Sequence, residues 1–235
     1  MRSDLAARPP PSLLGITVRR SVTLGRIYLG FGGGYLVLLG VITANVSPAA
    51  FQLLLPLLLP TFAVLGSIGG LMVFTNDRVK GVYEYLISYG VSPRRLFSNV
   101  LASTLILASI VIGVSLPVGL GVYVVRGNPV SLNLLESLGA YSLPMSYAST
   151  AFAATVGMFW TSLSSPRQGM NSPVGLVPLI GVAPGILTLV AVEAVRGVST
   201  LDIAGIAVAL VVGFVLLLLL FMERLMPLER LLSPV

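Results

Sequence analysis

Of 235 residues, 56% are hydrophobic and only 9% are charged, whereas soluble domains carry roughly 25% charged residues, so the chain has too little polar surface for a water-soluble globule. Cysteine and histidine are both missing, which excludes disulfides, thiol chemistry and the side chain that most often binds metals or titrates near neutrality. The net charge of +6 fits basic residues gathered where helices meet an anionic leaflet, and no nucleic-acid partner is expected.

In chain order, residues 1–11 are polar and Pro-rich and are not expected to form a cleavable signal, because the first apolar run starts late and is long. Residues 12–26 mix Leu13, Leu14, Ile16, Val18 and Val22 with Arg19, Arg20 and Arg26. That pattern predicts an amphipathic helix in the membrane interface, completing a cytoplasmic N-terminal segment over residues 1–26. Six apolar stretches follow at 27–44, 49–75, 97–125, 134–163, 174–195 and 203–222. Each approaches or exceeds the roughly 20 residues that a helix needs to cross a bilayer. The expected fold is therefore all-α, with six transmembrane helices in one domain over residues 27–223 and a short tail at 224–235. Pro56 and Pro60 are expected kink points in the second span and Pro117 in the third, while Pro178 and Pro184 predict a broken or re-entrant fifth span.

Twelve of the basic residues fall in the N-terminal segment, the second-to-third and fourth-to-fifth connections and the tail, against two, Arg126 and Arg196, on the other side. This asymmetry places both termini in the cytoplasm.

Within the spans, Ser142, Ser146 and Ser149 recur at helical spacing beside Tyr141 and Tyr147. They suit either a weakly polar wall of a translocation path or close helix packing. Gly30-x-x-x-Gly34 and Gly66-x-x-x-Gly70 are packing motifs, within one subunit or across a dimer. All eight acidic residues lie at span ends or outside, which disfavours proton coupling and favours an apolar or amphipathic substrate. The single lysine, Lys80, is followed by Gly81 and Val82, so there is no P-loop, and without histidine there is no Ser–His pair. Any work done by this chain needs an external engine.

The connection 76–96 is more than a linker. Val79, Val82, Tyr83 and Leu86 recur at i, i+3, i+4 and i+7, which predicts one apolar helical face. That face either lies on lipid or seats in a groove of a partner, with Asp77, Lys80, Glu84 and Arg94 at the rim. The run Asn76-Asp77-Arg78-Val79-Lys80-Gly81-Val82-Tyr83-Glu84-Tyr85-Leu86, followed by Ser92-Pro93-Arg94-Arg95, resembles the signature of ABC-2-type transporter permeases. There an acidic–basic pair precedes a Gly-Thr-Leu-Glu-like segment and a Pro turn with basic residues. Gly81, Glu84 and Arg78 match family positions, Val82-Tyr83 replaces the commoner Thr-Leu, and Tyr89-Gly90 is inserted before the turn.

The resemblance implies a six-helix permease subunit, an exporter in a prokaryotic plasma membrane, paired with a second copy or a paralogue. Its coupling helix, with Asp77, Arg78, Val79, Lys80, Gly81, Val82, Tyr83, Glu84, Leu86, Arg94 and Arg95, would contact a separate ATPase. ATP and Mg would belong to that partner, and no cofactor to this chain. An ion-driven secondary transporter and a membrane scaffold are the competing readings. The topology has a direct check, since the chain has no cysteine of its own. Cysteines introduced at Ser88 and Ser199 should react with an impermeant maleimide from the cytoplasmic and outer faces respectively. Labelling of both from one face would overturn it.

Overall fold

The computed structural model describes residues 12–163 and 200–225. Every regular element among them is helical: α1 (Leu13–Val46), α2 (Pro48–Ser67), α3 (Gly69–Val79), α4 (Val82–Ser88), α5 (Pro93–Val125), α6 (Leu132–Glu136), a π-helical turn (Ser137–Ser142), α7 (Leu143–Leu163) and α8 (Thr200–Leu225). Among the described residues, three helical stretches are long and apolar enough to cross a membrane: Leu13–Thr43, Leu54–Val79 and Pro93–Val125. The expected fourth and sixth stretches are occupied by α7 and α8, while the fifth, with Pro178 and Pro184, lies outside the described residues.

Residues 12–26 do not form a helix separate from the first span. They begin α1, whose N-cap Ser12 accepts a hydrogen bond from the Gly15 amide at 3.1 Å. At 34 residues α1 is about 51 Å long, against a hydrocarbon core of about 30 Å, so one end must project beyond it. The segment is held by protein as well as by lipid, because Ser21 and Gly25 are already buried. Helix α2 runs unbroken through Pro56 and Pro60, and α5 through Pro117. The interruption falls instead at Ile68, between α2 and α3.

Glycine explains where the helices approach most closely. A Cβ at Gly32 would stand 2.8 Å from the Cα of Gly66, and one at Gly25 would stand 2.5 Å from the Cα of Gly69. Helix α1 therefore packs backbone to backbone on the α2–α3 rod, in antiparallel register. Gly70 leaves room for Thr104 of α5 in the same way. Without a hydrophobic driving force between helices in lipid, such close packing is a main source of association. Of the Leu54–Val79 span 67% is buried, against 22% and 33% for the spans of α1 and α5, so the α2–α3 rod is the centre of the bundle.

The two glycine pairs of the sequence part company here. Gly66 and Gly70 are filled from within the chain, by Val111 and Thr104, whereas a Cβ at Gly30 or Gly34 would meet nothing within 4 Å. The inward glycines of α1 are Gly25, Gly32 and Gly40.

Three apolar clusters stack along the rod. Leu36, Leu59, Ala63, Ala108 and Ile112 form the middle. One end is closed by Phe51, Leu55, Tyr123, Leu134 and Leu138, with Phe51 stacked on Tyr123 at 4.4 Å and Gln52 donating to the Tyr123 hydroxyl at 2.9 Å. The other end contains α4. Gly69→Leu should destabilise the protein by about 2–3 kcal/mol through overpacking. Gly34→Ala should stay within about 0.5 kcal/mol. Thermal unfolding in detergent separates the two, and equal effects would count against the seam.

Candidate functional site

The connection between α3 and α5 folds as a short helix flanked by two glycine turns. Gly81, at φ 67°, ends α3 and caps α4, and Gly90, at φ 82°, ends α4. At Gly90 the amides of Gly90 and Val91 bond back to the carbonyls of Ile87 and Leu86, at 2.9 and 3.1 Å. That arrangement satisfies the carbonyls of the last turn and needs a left-handed residue. Ser92 then caps α5, with Pro93 as its first residue.

This geometry changes the predicted apolar face. Because Gly81 breaks the helix, Val79 belongs to α3 and is 51% exposed, while Val82, Tyr83 and Leu86 belong to α4. Tyr83 is only 3% exposed and packs on Phe74, ring centroids 5.3 Å apart, with Phe97 against the other side of Phe74 at 5.5 Å. Leu86, Ile87 and Val91 lie against the same cluster. The face expected to seat in a partner's groove is thus turned into the chain's own core. The reason is that α3, α4 and α5 together bury what the small loop alone cannot.

The predicted rim residues separate as well. Asp77, 5% exposed, is held by both guanidinium nitrogens of Arg20 on α1, one at 2.7 Å. Arg78 is buried beside it, and Glu84 is half-buried in the first turn of α4. Lys80, Arg94 and Arg95 are exposed. Between α1, α3, α4 and α5 lies a cavity of about 170 Å³ lined by Arg20, Asp77, Tyr83 and Asn99 among apolar residues. The Tyr83 hydroxyl and the Asn99 amide nitrogen are buried there with no hydrogen-bond partner among the described residues, and the space is large enough for water to supply one. Burial, and then the nearby Asp77 carboxylate, pushes the Tyr83 hydroxyl well above the usual phenol range, so it stays neutral.

What remains outside is a different surface. Tyr85 is 62% and Tyr89 is 71% exposed, their rings 4.6 Å apart. Val79, Lys80, Ser88, Arg94 and Arg95 are exposed in the same connection. Exposed aromatic rings and guanidinium groups in one connection suit protein contact, since aromatic residues and Arg are enriched in interfaces.

Sequence reasoning missed Arg20 and Asn99. Part of the signal for the first was present, since an aspartate at the end of an apolar helix needs a counter-charge, but Arg78 and Lys80 lie closer in the chain and spacing alone did not single out Arg20. Ser142, at the end of the π-helical turn, and Ser146 and Ser149 on α7 are fully buried. Ser146 donates to the Ser142 carbonyl at 2.6 Å, while the Ser142 and Ser149 hydroxyls have no partner among the described residues. No family model matches this chain, and neither does any curated protein or solved structure searched.

The Arg20–Asp77 pair has a distinct mutational signature. Asp77→Ala should cost about 3 kcal/mol by leaving a partly buried guanidinium unpaired. The Arg20→Ala/Asp77→Ala double variant should lose clearly less than the two single losses combined, with a coupling of about 1–3 kcal/mol. A coupling near zero in detergent unfolding would mean that the pair holds nothing together.

Proposed function

We propose that this chain is the membrane-spanning subunit of an ABC-2-type exporter, working with a second copy or a paralogue and driven by a separate ATPase that carries the ATP and Mg. In this reading six spans cross a prokaryotic plasma membrane, both termini and α4 face the cytoplasm, and α4 is the coupling helix.

The observation that carries the proposal is the two-sided seating of α4. Its inner side is fastened to α3 and α5 through Tyr83, Phe74 and Phe97, and the turn before it is fastened to α1 through Asp77 and Arg20. Its outer side offers Tyr85 and Tyr89, and Arg94 and Arg95 in the first turn of α5 are exposed too. A partner pressing on the outer side would move three membrane helices together. A helix held by lipid alone needs only apolar burial and headgroup attraction, and has no use for such a linkage. The absence of a P-loop and of acidic residues at mid-span supports an engine outside the chain. The same shortage of charge at depth favours an apolar or amphipathic substrate.

The contact surface in this proposal is the exposed one, so the informative substitutions are there. Co-expressed with a candidate ABC ATPase chosen from its gene neighbourhood, the wild-type chain should co-purify with it. Tyr89→Asp and Arg94→Glu should each lower recovery about tenfold or more. Tyr83→Phe, which keeps the buried ring, should leave recovery unchanged. A wild-type chain that is folded yet retains no folded ATPase would remove the basis for the proposal, and an ion-driven transporter or a scaffold would then describe the protein better.

A further inference from the structure

The depth of the bundle in a membrane follows from the register between α1 and α5. The Ser21 and Ser103 hydroxyls meet at 3.3 Å, and Ser115 donates to the Gly33 carbonyl at 3.3 Å, both pairs being 82 residues apart in the chain. The two helices therefore stand level at that offset, and Arg126, the exposed C-cap of α5, lies beside position 44 of α1. From Arg26 to that level is roughly 27 Å of helix, close to the roughly 30 Å of a hydrocarbon core. Between these two arginines α1 and α5 carry no charged residue, and α2 and α7 carry none at all. Exposed on α1 over this stretch are Ile27, Phe31, Tyr35, Leu38 and Ile42. Tyr147 supplies a second marker of depth. It is exposed, its hydroxyl meets that of Ser109 at 3.1 Å, and Ser109 stands level with Ile27, next to Arg26. Tyrosine is enriched at that membrane–water boundary.

Arg26 thus marks one edge of the apolar slab, on the side that carries α4, and the start of α1 projects beyond it. Arg19 lies two turns further out, about 10 Å away and on the same face of the helix. Both arginines are exposed. Neither guanidinium is in an ion pair among the described residues, where Asp77 is taken by Arg20. Two open guanidinium groups at headgroup level attract a phosphate, which the planar donor fork of Arg matches with paired hydrogen bonds. Immediately below them Ile27 is 70% exposed, so what sits here meets both positive charge and apolar surface.

We propose that Arg19 and Arg26 hold the headgroup of an anionic phospholipid in the leaflet on the α4 side, with its acyl chains along Ile27, Phe31 and Leu38. A zwitterionic lipid fits less well, because its ammonium group brings a second positive charge to the same place. A soluble phosphate would satisfy the guanidinium groups and leave the apolar surface uncovered. The site does not depend on the transport proposal, and nothing in it involves the exposed side of α4.

The test uses the full chain in phosphatidylcholine vesicles containing a trace of one of two photoactivatable lipids, phosphatidylglycerol or phosphatidylcholine, each with a diazirine near the start of one acyl chain. Peptide mapping after photolysis should place phosphatidylglycerol adducts on Ile27 and Phe31, about fivefold or more denser than the phosphatidylcholine adducts there. Excess plain phosphatidylglycerol should suppress them. Arg19→Gln and Arg26→Gln should each lower these adducts about fivefold, while labelling by phosphatidylcholine, which reports a folded chain, stays the same. The Arg94→Gln/Arg95→Gln variant removes as much charge from the same end. Its site is level with the start of α1, about 20 Å beyond Arg26, so it should leave the adducts in place. Nitroxides on cysteines introduced at Phe31 and Thr23 check the depth: oxygen should relax the first and a water-soluble nickel chelate the second. Three results would overturn the proposal. Equal labelling by the two lipids would make this face ordinary lipid contact, and equal losses in the two sets of arginine variants would assign the effect to overall charge. No labelling of α1 by either lipid would mean that protein, such as a second copy, covers the face.

Discussion

The backbone contact between α1 and the α2–α3 rod governs the position of everything else. Where Gly25 faces Gly69 and Gly32 faces Gly66, the helix axes come closer than any side chain would allow. Helices in lipid gain nothing from expelling water against one another, so close packing and hydrogen bonds must supply the association. Pairing along α1 sets the register on both sides. Towards α3, antiparallel, it brings Arg20 to Asp77. Towards α5, parallel in chain direction, it sets Ser21 against Ser103 and the Gly33 carbonyl against Ser115, at 3.3 Å each. A methyl group in this seam would move α1 outward and separate both sets of contacts together.

That register also accounts for the character of the loop end. An ion pair with Asp77 only 5% exposed contributes little net stability, because desolvation offsets much of the attraction, but breaking it strands a charge. Its main consequence is geometric, since it fixes the start of α1 to the end of α3. Tyr83 does the same for α4, with its ring in the aromatic group of Phe74 and Phe97. The short helix is thereby part of the bundle. Its outer surface, carrying Tyr85 and Tyr89, is joined through these contacts to α1, α3 and α5, the linkage on which the transport proposal rests.

Much of the fold was legible in the residues themselves. The apolar stretches within the described residues fall in helices, and the turn at Ser92-Pro93 corresponds to the observed start of α5. The errors have a common cause. The i, i+3, i+4, i+7 spacing from Val79 to Leu86 identified apolar residues correctly, yet treated Gly81 as one residue within a helix, when its left-handed backbone divides the run in two. The motif Gly30-x-x-x-Gly34 looked as good as Gly66-x-x-x-Gly70, because spacing says that two glycines share a face and nothing about which way the face points.

Composition and periodicity, which are properties of single segments, determined by themselves that the chain is helical and apolar enough for a membrane, and that it has no P-loop or Ser–His pair of its own. Which surfaces face inward was decided only by tertiary structure, because burial depends on neighbours supplied from distant parts of the chain. Tyr83 became core through Phe74 and Phe97, Asp77 became an ion-pair member through a residue on α1, and Tyr85 and Tyr89 became the outer surface because the opposite side of α4 had already been taken. The meeting of the Tyr147 and Ser109 hydroxyls at 3.1 Å is of the same kind, since two groups on separate helices come within hydrogen-bond reach only when packing brings the helices together.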